Sequence, residues 1–366
     1  MKTLLIGPLP PPVSGNALNT KTLYDELKSI SPVDVINLSK KKHNSGVLSV
    51  DRVIDIINAL QKLLKKGKVA DIIYLIVAES FLGNIRDLII YLFCRKRLNS
   101  LVIHMLGGAG MKDIISKRRG IRFWINKYFL SRLGAIIVEG KTQFDMFSEI
   151  ADPEKIKIIP NFADDYLFLT EKEVSNNFNK VDPLRILFLS NMLYGKGHME
   201  LLEAYLKLDE KLKDKVVIDF AGKLVSKKEE RIFLNKIRES KNINYHGPVS
   251  GLHKKNLYSK AHVFCLPTYY PFEGQPFCIL EAYATGCVVI TTNHSGIRNV
   301  FRDRMNGFEV EKRSVESLVS TLERVITERN SLRSIAIENL KSANEKYTKS
   351  RYLASIKRVF NSLQTP

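Results

Sequence analysis

Acidic residues are scarce in this 366-residue chain: 38 Asp and Glu stand against 57 Lys and Arg, a net charge of +19. Residues 1–165 carry 25 basic against 16 acidic side chains and the remainder 32 against 22, so the excess is shared by both halves and is not a charged tail. A field of this sign favours anionic partners (nucleic acid, anionic lipid or phosphorylated small molecules) without choosing among them. Cysteine is sparse as well. Cys94, Cys265, Cys278 and Cys287 have neither metal-ligand spacing nor a paired motif, which reads as reduced thiols in a cytosolic protein. No apolar run reaches the length of a membrane span; the most apolar stretch, 72–94, is broken by Glu79, Arg86 and Asp87. The start, Met1-Lys-Thr-Leu-Leu-Ile-Gly7, has too short an apolar core for a secretory signal and reads as a first strand. The dinucleotide fingerprint Gly-x-Gly-x-x-Gly is missing, and Gly107-Gly-Ala-Gly-Met-Lys112 lacks the spacing of a nucleotide P-loop. No acidic cluster suggests bound Mg²⁺, and there is neither a solenoid repeat nor a low-complexity tract.

What remains is an alternation of short apolar runs and helical patterns, interrupted once. Strands are expected at 3–6, 33–37, 72–76, 101–104 and 135–138, with helices at 17–28, 51–65, 84–94 and 122–133 between them. Such alternation predicts an α/β fold with a parallel sheet covered on both faces. After Ile158-Ile-Pro-Asn-Phe162 the pattern lapses, and 164–183 reads as a hinge and irregular linker. It then restarts with strands at 185–189, 216–221, 243–246, 263–266 and 288–291. Helices are expected at 199–208, 227–239, 252–259, 277–285 and 315–328. The expectation is therefore two Rossmann-like doubly wound domains, 1–165 and 182–347, facing a central ligand cleft at the carboxyl ends of their strands. A last helical segment, 348–366, is placed to pack back on the first domain.

The stretch Glu273-Gly-Gln-Pro-Phe-Cys-Ile-Leu-Glu281 carries the most chemistry. Pro276 suits the first position of a helix, because its missing N–H would find no partner there, and Gly286 suits the far cap. Such a helix aims free amides at the loop holding Glu273, a layout that binds phosphate. Glu281 lies among Ile279, Leu280 and Ala282, where an unpaired charge is costly, so a polar partner is required. Lys196, between Gly195 and Gly197 after a core strand, is a point charge fit for phosphate; a solvated turn lysine is the plainer alternative. The loop Gly7-Pro-Leu-Pro-Pro-Pro-Val-Ser-Gly15-Asn16 reads equally as a ligand-approaching turn or a rigid one. His104 ends a strand just before Gly107-Gly108, at the mouth of the expected cleft, and reads equally as functional or structural. Between Met111 and Leu133, seven basic residues face one acid, Asp113, interleaved with Phe123, Trp124, Tyr128 and Phe129. That composition suits a helix lying on anionic lipid or, as an alternative, a core-facing aromatic stripe with a solvated basic face. No stacking or groove-reading motif supports nucleic-acid binding.

These residues together resemble glycosyltransferase family 4, the retaining, nucleotide-sugar-dependent transferases of the GT-B fold. Pro160-Asn161, Lys196-Gly197, Gly222, Gly247 and Gly296-Ile297 leading to Asn306-Gly307-Phe308 add to the likeness, which spans nearly the whole chain. The resemblance implies that Glu281 binds the ribose hydroxyls and that Glu273 contacts the transferred sugar. It further implies that the backbone of Gly274, Gln275, Pro276, Phe277 and Cys278 holds sugar and phosphate, and that Lys196 neutralises the diphosphate. Gly15 and Asn16 would approach it from the other domain, His104 would lie near the donor sugar, and Gly222 and Val249 would complete the nucleotide site. Asn191 stands where the family has an arginine, and Ser295 where glycine is frequent. The implied substrates are a UDP-, GDP- or ADP-linked sugar and a glycan or lipid-linked acceptor. No metal or other cofactor is implied, and the setting would be cytoplasmic, with possible attachment to the inner face of a bacterial membrane during surface-polysaccharide assembly. A nucleotide-sugar epimerase of the same fold, or a basic nucleic-acid or lipid-binding protein, is the alternative.

Overall fold

In the computed structural model, residues 1–39, 50–107, 109–179, 181–238 and 240–364 are described; Gly108, named above, and residue 239, the end of an expected helix, lie outside them. The chain forms two compact units, one of residues 1–160 with 352–366 and one of residues 161–351. Residues 161–165 thus belong to the second unit.

The first unit contains strands β1 (Thr3–Gly7), β2 (Val33–Asn37), β3 (Ile72–Ile76), β4 (Leu101–Met105), β5 (Ala135–Val138) and β6 (Ile156–Ile158). All pair in parallel in the order β2-β1-β3-β4-β5-β6. Helices α1 (Gly15–Ile30), α2 (Val50–Lys66), α3 (Phe81–Phe93), α4 (Ala109–Ser116), α5 (Ile121–Leu130) and α6 (Lys141–Phe147) supply the crossovers. Every residue of β1, β3, β4 and β5 is buried, as expected for central strands covered on both faces, which is why these runs are apolar without alternation. The single expected helix at 122–133 is preceded by a separate α4, because Arg118 in the left-handed region and Gly120 break the pattern.

The second unit contains α7 (Glu171–Phe178), β7 (Leu184–Leu189), α8 (His198–Lys207), α9 (Glu210–Lys213), β8 (Val216–Ala221), α10 (Lys227–Ile237), β9 (Ile243–Tyr245), α11 (Gly251–Lys260) and β10 (Val263–Leu266). It continues with α12 (Phe277–Ala284), β11 (Val288–Thr292), β12 (Gly307–Val310), α13 (Val315–Thr327) and α14 (Leu332–Lys346). The parallel order β9-β8-β7-β10-β11-β12 is, numbered within the unit, 3-2-1-4-5-6, the doubly wound arrangement. α15 (Lys349–Ser362) starts in the second unit and passes into the first at Tyr352.

The stretch expected as an irregular linker contains α7. Its polar sequence hides a capping box: the Thr170 hydroxyl accepts from Glu173 N at 3.2 Å, while the Glu173 carboxylate accepts from Thr170 N at 2.7 Å. Only Val174 and Phe178 are buried on this helix, too few to register as an amphipathic period. His262 ties α7 to the sheet: its Nδ1 accepts from Arg185 N at 3.0 Å and its Nε2 donates to Asn177 O at 3.2 Å, an arrangement that requires the neutral ring. Among the described residues no helix is long and apolar enough to cross a membrane.

His198 begins α8 packed between Phe188 and Phe233, with ring centroids 6.0 and 6.2 Å away and no hydrogen-bond partner for either nitrogen among the described residues. Burial holds its pKa down at about 4, and that of His262 likewise at about 4. A histidine kept neutral by folding contributes stability that is complete above the unfolded-state pKa and is lost as pH falls toward the folded one. Between pH 7 and pH 5 the His198 contribution should fall by about 2 kcal/mol. We expect His198→Phe to lose less stability than the parent over this interval in urea titrations at the two pH values.

Candidate active site

Parallel strands place all their carboxyl ends on one edge of the sheet, and ligands bind where the strand order reverses. In the second unit that point lies between β7 and β10. The two strands pair only at Ile186↔Val263 and Leu187↔Phe264, so they part before their ends. The loop after β7 carries Asn191 and Lys196, and the loop after β10 carries Glu273.

These loops meet through charge. Lys196 Nζ donates to both Glu273 oxygens, at 2.9 and 2.8 Å, with side chains 12% and 7% exposed. The Thr268 hydroxyl donates to Glu273 Oε2 at 2.8 Å, and Tyr269 N donates to Gly195 O at 2.7 Å. The Lys196 ammonium also lies 4.9 Å from the centre of the Tyr270 ring, a cation–π contact. From the other side, the loop after β11 clamps the same segment: Ser295 Oγ donates to Glu273 O at 2.5 Å, and His294 Nε2 donates to Tyr270 O at 2.8 Å. Ser295 adopts φ +48°, a left-handed conformation that explains why glycine suits this position; here the serine hydroxyl adds a bond to the Glu273 main chain.

Gln275 is buried; its Oε1 accepts from Asn161 N at 2.6 Å, and its carbonyl accepts from Asn161 Nδ2 at 2.9 Å. α12 starts at Phe277, as expected, and Pro276 stands as the cap residue before it rather than at the first helical position. The first-turn amides of any helix lack intrahelical acceptors, so those of α12 open toward the Glu273–Lys196 loops. At the far end Cys287 N bonds Ala282 O at 2.8 Å and Gly286 N bonds Tyr283 O at 3.0 Å, a Schellman closure.

Glu281 is buried in α12 and has the polar partners its surroundings demand. Lys254 Nζ donates to Oε1 at 2.5 Å and the Tyr258 hydroxyl to Oε2 at 3.1 Å. Burial works against the Lys254 ammonium, but the adjoining Glu281 carboxylate more than offsets it and holds the pKa above the usual lysine value. Lys254 and Tyr258 are four residues apart on α11 and so share a face; that spacing, in a helix expected from the sequence, was the available signal for them.

Gly222 follows β8 at φ +137°, and a Cβ there would lie 1.8 Å from Ser190 O, so only glycine lets the two exit loops touch. Asn191 is exposed in the neighbouring loop, and Val249 is half-buried in the loop before α11. Asn191, Lys196, Gly222, Val249 and Gly274 to Cys278 thus share one edge of the second unit, where Lys196 and Glu273 touch directly. Glu281 forms its own cluster with α11.

Gly15, Asn16 and His104 lie in the first unit. Gly15 and Asn16 open α1 behind Ser14, whose hydroxyl accepts from Ala17 N at 3.2 Å. His104 sits near the carboxyl end of β4, but its ring is fully buried rather than standing at an open mouth. Its Nδ1 lies 2.5 Å from the Tyr74 hydroxyl, and its ring stacks on Tyr352, whose hydroxyl donates to Asn19 Oδ1 at 2.7 Å. His104 Nε2 has no hydrogen-bond partner among the described residues, and burial holds the ring neutral with a pKa of about 3. The close approach that Gly107 permits is taken by Glu79, whose Oε1 lies 1.9 Å from where a Cβ would stand. Glu139 accepts from Gly107 N at 3.0 Å. Neither acid was signalled by the sequence pattern. Among the described residues no group of three or more His, Cys, Asp or Glu is placed to hold a metal ion.

Residues 170–343 match the family model described as Glycosyl transferases group 1. This region is a glycosyl transferases group 1 domain. An uncharacterized glycosyltransferase of Methanocaldococcus jannaschii is 28% identical over 204 residues, covering 53% of this chain and 51% of that protein. The chain therefore spans about half the length of that curated relative. Among solved structures, Anabaena HepE in complex with UDP and glucose matches with a TM-score of 0.70 at 16% identity, covering 99% of this chain and 100% of its own. WaaG, a glycosyltransferase involved in lipopolysaccharide biosynthesis, matches with a TM-score of 0.70 at 14% identity over 100% of both chains. At such identities the likeness is one of fold, that of two parallel-sheet Rossmann-like units.

Breaking a buried ion pair from one side strands a charge in a poorly solvated place. Lys254→Met should destabilise the protein by about 3 kcal/mol in denaturant titrations. The double variant Lys254→Met/Glu281→Gln should recover most of that loss; equal losses would mean that Glu281 does not depend on Lys254.

Proposed function

We propose that this chain transfers a sugar from a nucleotide diphosphate donor to an acceptor hydroxyl with retention of anomeric configuration. The reading rests above all on the Lys196–Glu273 contact at the switch point of a glycosyl transferases group 1 domain, next to the amide end of α12. The chemical difficulty is the negative charge that grows on the departing diphosphate. A half-buried ammonium and oriented amides counter it without reorganising at the moment of reaction. A donor diphosphate competes with Glu273 for Lys196, and the released carboxylate turns to the sugar hydroxyls. Glu281, presented by Lys254 and Tyr258, takes the ribose hydroxyls. The bond from the anomeric carbon to the diphosphate oxygen breaks as the acceptor oxygen bonds on the same face, and the acceptor proton passes to the leaving phosphate. Lys196 and the helix end supply the positive charge in this scheme without a metal ion.

The donor is a nucleotide sugar, in keeping with the UDP and glucose bound by HepE. The acceptor is a lipid-linked glycan of bacterial surface-polysaccharide assembly, in keeping with the lipopolysaccharide role of WaaG.

Three measurements test this. A panel of UDP-, GDP- and ADP-sugars should contain one that raises the melting temperature, because a ligand bound only by the folded state stabilises it by mass action. With that donor, Lys196→Ala should lower transfer by roughly 100-fold or more at unchanged fold. Proton NMR of the product should show the donor's anomeric configuration; an inverted product, or full turnover by Lys196→Ala, would overturn the assignment.

A further inference from the structure

The proposed donor chemistry needs more positive charge than the loop after β7 supplies. A diphosphate carries more than one negative charge, and its charge grows as the sugar departs. Lys196 already faces both oxygens of Glu273, so a carboxylate offsets its ammonium before any ligand arrives. Asn191, in the same loop, stands where the resembled family has an arginine, and its amide offers hydrogen bonds but no charge. The loop after β8 lies alongside and carries Lys223.

Strand register fixes where Lys223 stands. β7 pairs with β8 without a slip from Leu184↔Val216 to Leu189↔Ala221. The pairing does not stop at the strand ends. Ser190 N donates to Ala221 O at 3.1 Å, Met192 N donates to Lys223 O at 2.9 Å, and Met192 forms a parallel bridge with Leu224. The same register therefore sets Asn191 opposite Lys223. Parallel neighbours lie about 4.8 Å apart, and paired residues present their side chains on the same face. Met192 and Leu224 turn inward and are buried; one residue earlier in each loop, Asn191 and Lys223 are both exposed, as alternation requires. The Lys223 loop is fastened on its far side as well: the Tyr245 hydroxyl donates to Gly222 O at 3.0 Å, and Gly222 N donates to Gly247 O at 2.8 Å. Lys196 and Lys254 each have a carboxylate partner, whereas Lys223 has no ion pair among the described residues.

We propose that Lys223 is a donor-binding residue, whose ammonium meets the diphosphate of the nucleotide sugar and supplies from the β8 loop the charge that Asn191 does not. The assignment rests on the reading of this edge as a nucleotide-sugar site. An exposed lysine is ordinarily just solvated; this one is held in register beside the loop that carries Lys196. Its four-carbon stem lets a compact charge reach past its own backbone, which an amide at position 191 cannot replace. Moving the cation from one exit loop to its paired neighbour keeps the charge of the site and alters only the side from which it approaches. A cation at either of the two paired positions should then serve.

The full chain is titrated calorimetrically with UDP, GDP and ADP and with the matching nucleosides, which lack phosphate. Lys223→Gln should weaken the diphosphate that binds the parent by about tenfold, the effect of losing one charge-assisted contact. It should leave the matching nucleoside and the ligand-free melting temperature unchanged, because the side chain is exposed. Asn191→Arg/Lys223→Gln should restore diphosphate affinity, and Asn191→Gln/Lys223→Gln should not. Added salt should weaken the diphosphate less in Lys223→Gln than in the parent. Equal diphosphate affinity in the parent and Lys223→Gln would overturn this assignment and leave the nucleotide-sugar reading standing. A loss shared by the nucleoside would overturn it too, since Lys223 would then touch base or ribose. If none of the three diphosphates bound the parent, both the reading and the assignment would fall.

Discussion

A half-buried ammonium touching a buried carboxylate ties together two exit loops of the second unit. Lys196 and Glu273 come from loops 77 residues apart in sequence, and their contact adds to the apolar anchoring that buried Met192 and Tyr269 give those loops. Removing both charges from water is costly, and only mutual contact together with further hydrogen bonds repays it. Thr268 and Tyr270 provide that support, and Ser295 and His294 fasten the carboxylate-bearing loop from the β11 side. The loop is thereby fixed before any ligand contact, and with it the direction in which α12 presents its amides. Preorganisation of this kind is what stabilisation of a developing charge requires.

The same device recurs about one turn into α12. Glu281 would be a destabilising residue in a helix this apolar, but Lys254 and Tyr258 on one face of α11 meet both its oxygens. The paired charges make α11 and α12 a single frame. One helix therefore carries, along its length, an anion-attracting end and a carboxylate held in a set orientation. A ligand with phosphates and vicinal hydroxyls fits such a pair of features, and a simple phosphate monoester would use only the first.

The first unit places its polar groups differently. Instead of salt-bridged loops it has a buried chain of neutral partners: Tyr74 to His104, His104 against Tyr352, and Tyr352 to Asn19. Tyr352 comes from the C-terminal helix, so the last elements of the sequence complete the interior of the first. His104 is neutral because it is buried, whatever the solution pH near neutrality. Its free nitrogen is the one polar atom of that chain without a partner among the described residues.

Much of this was legible in sequence because parallel strands buried on both faces must be continuously apolar, and such runs alternating with helical periods leave few other folds. Glu273, Lys196 and the cap residues of α12 were visible for a similar reason: proline, glycine and charge have strong local preferences. α7 escaped notice since only two of its residues are buried and its stability comes from a capping box and a histidine far along the chain. Glu79 and Glu139 escaped because nothing local distinguishes them from solvated side chains, and Lys254 and Tyr258 because their only local signal is a four-residue spacing on one helix. The outward face of α5, where Trp124 and Tyr128 are exposed, could not be told from its inward face, where Phe123 and Phe129 are buried, since both are aromatic and the period alone does not say which one meets the core. Local chemistry thus determined the elements, the helix cap and the lysine set between two glycines. Which charges pair, and which apolar face stays uncovered, depend on contacts between distant segments, and only the packed tertiary structure decides those.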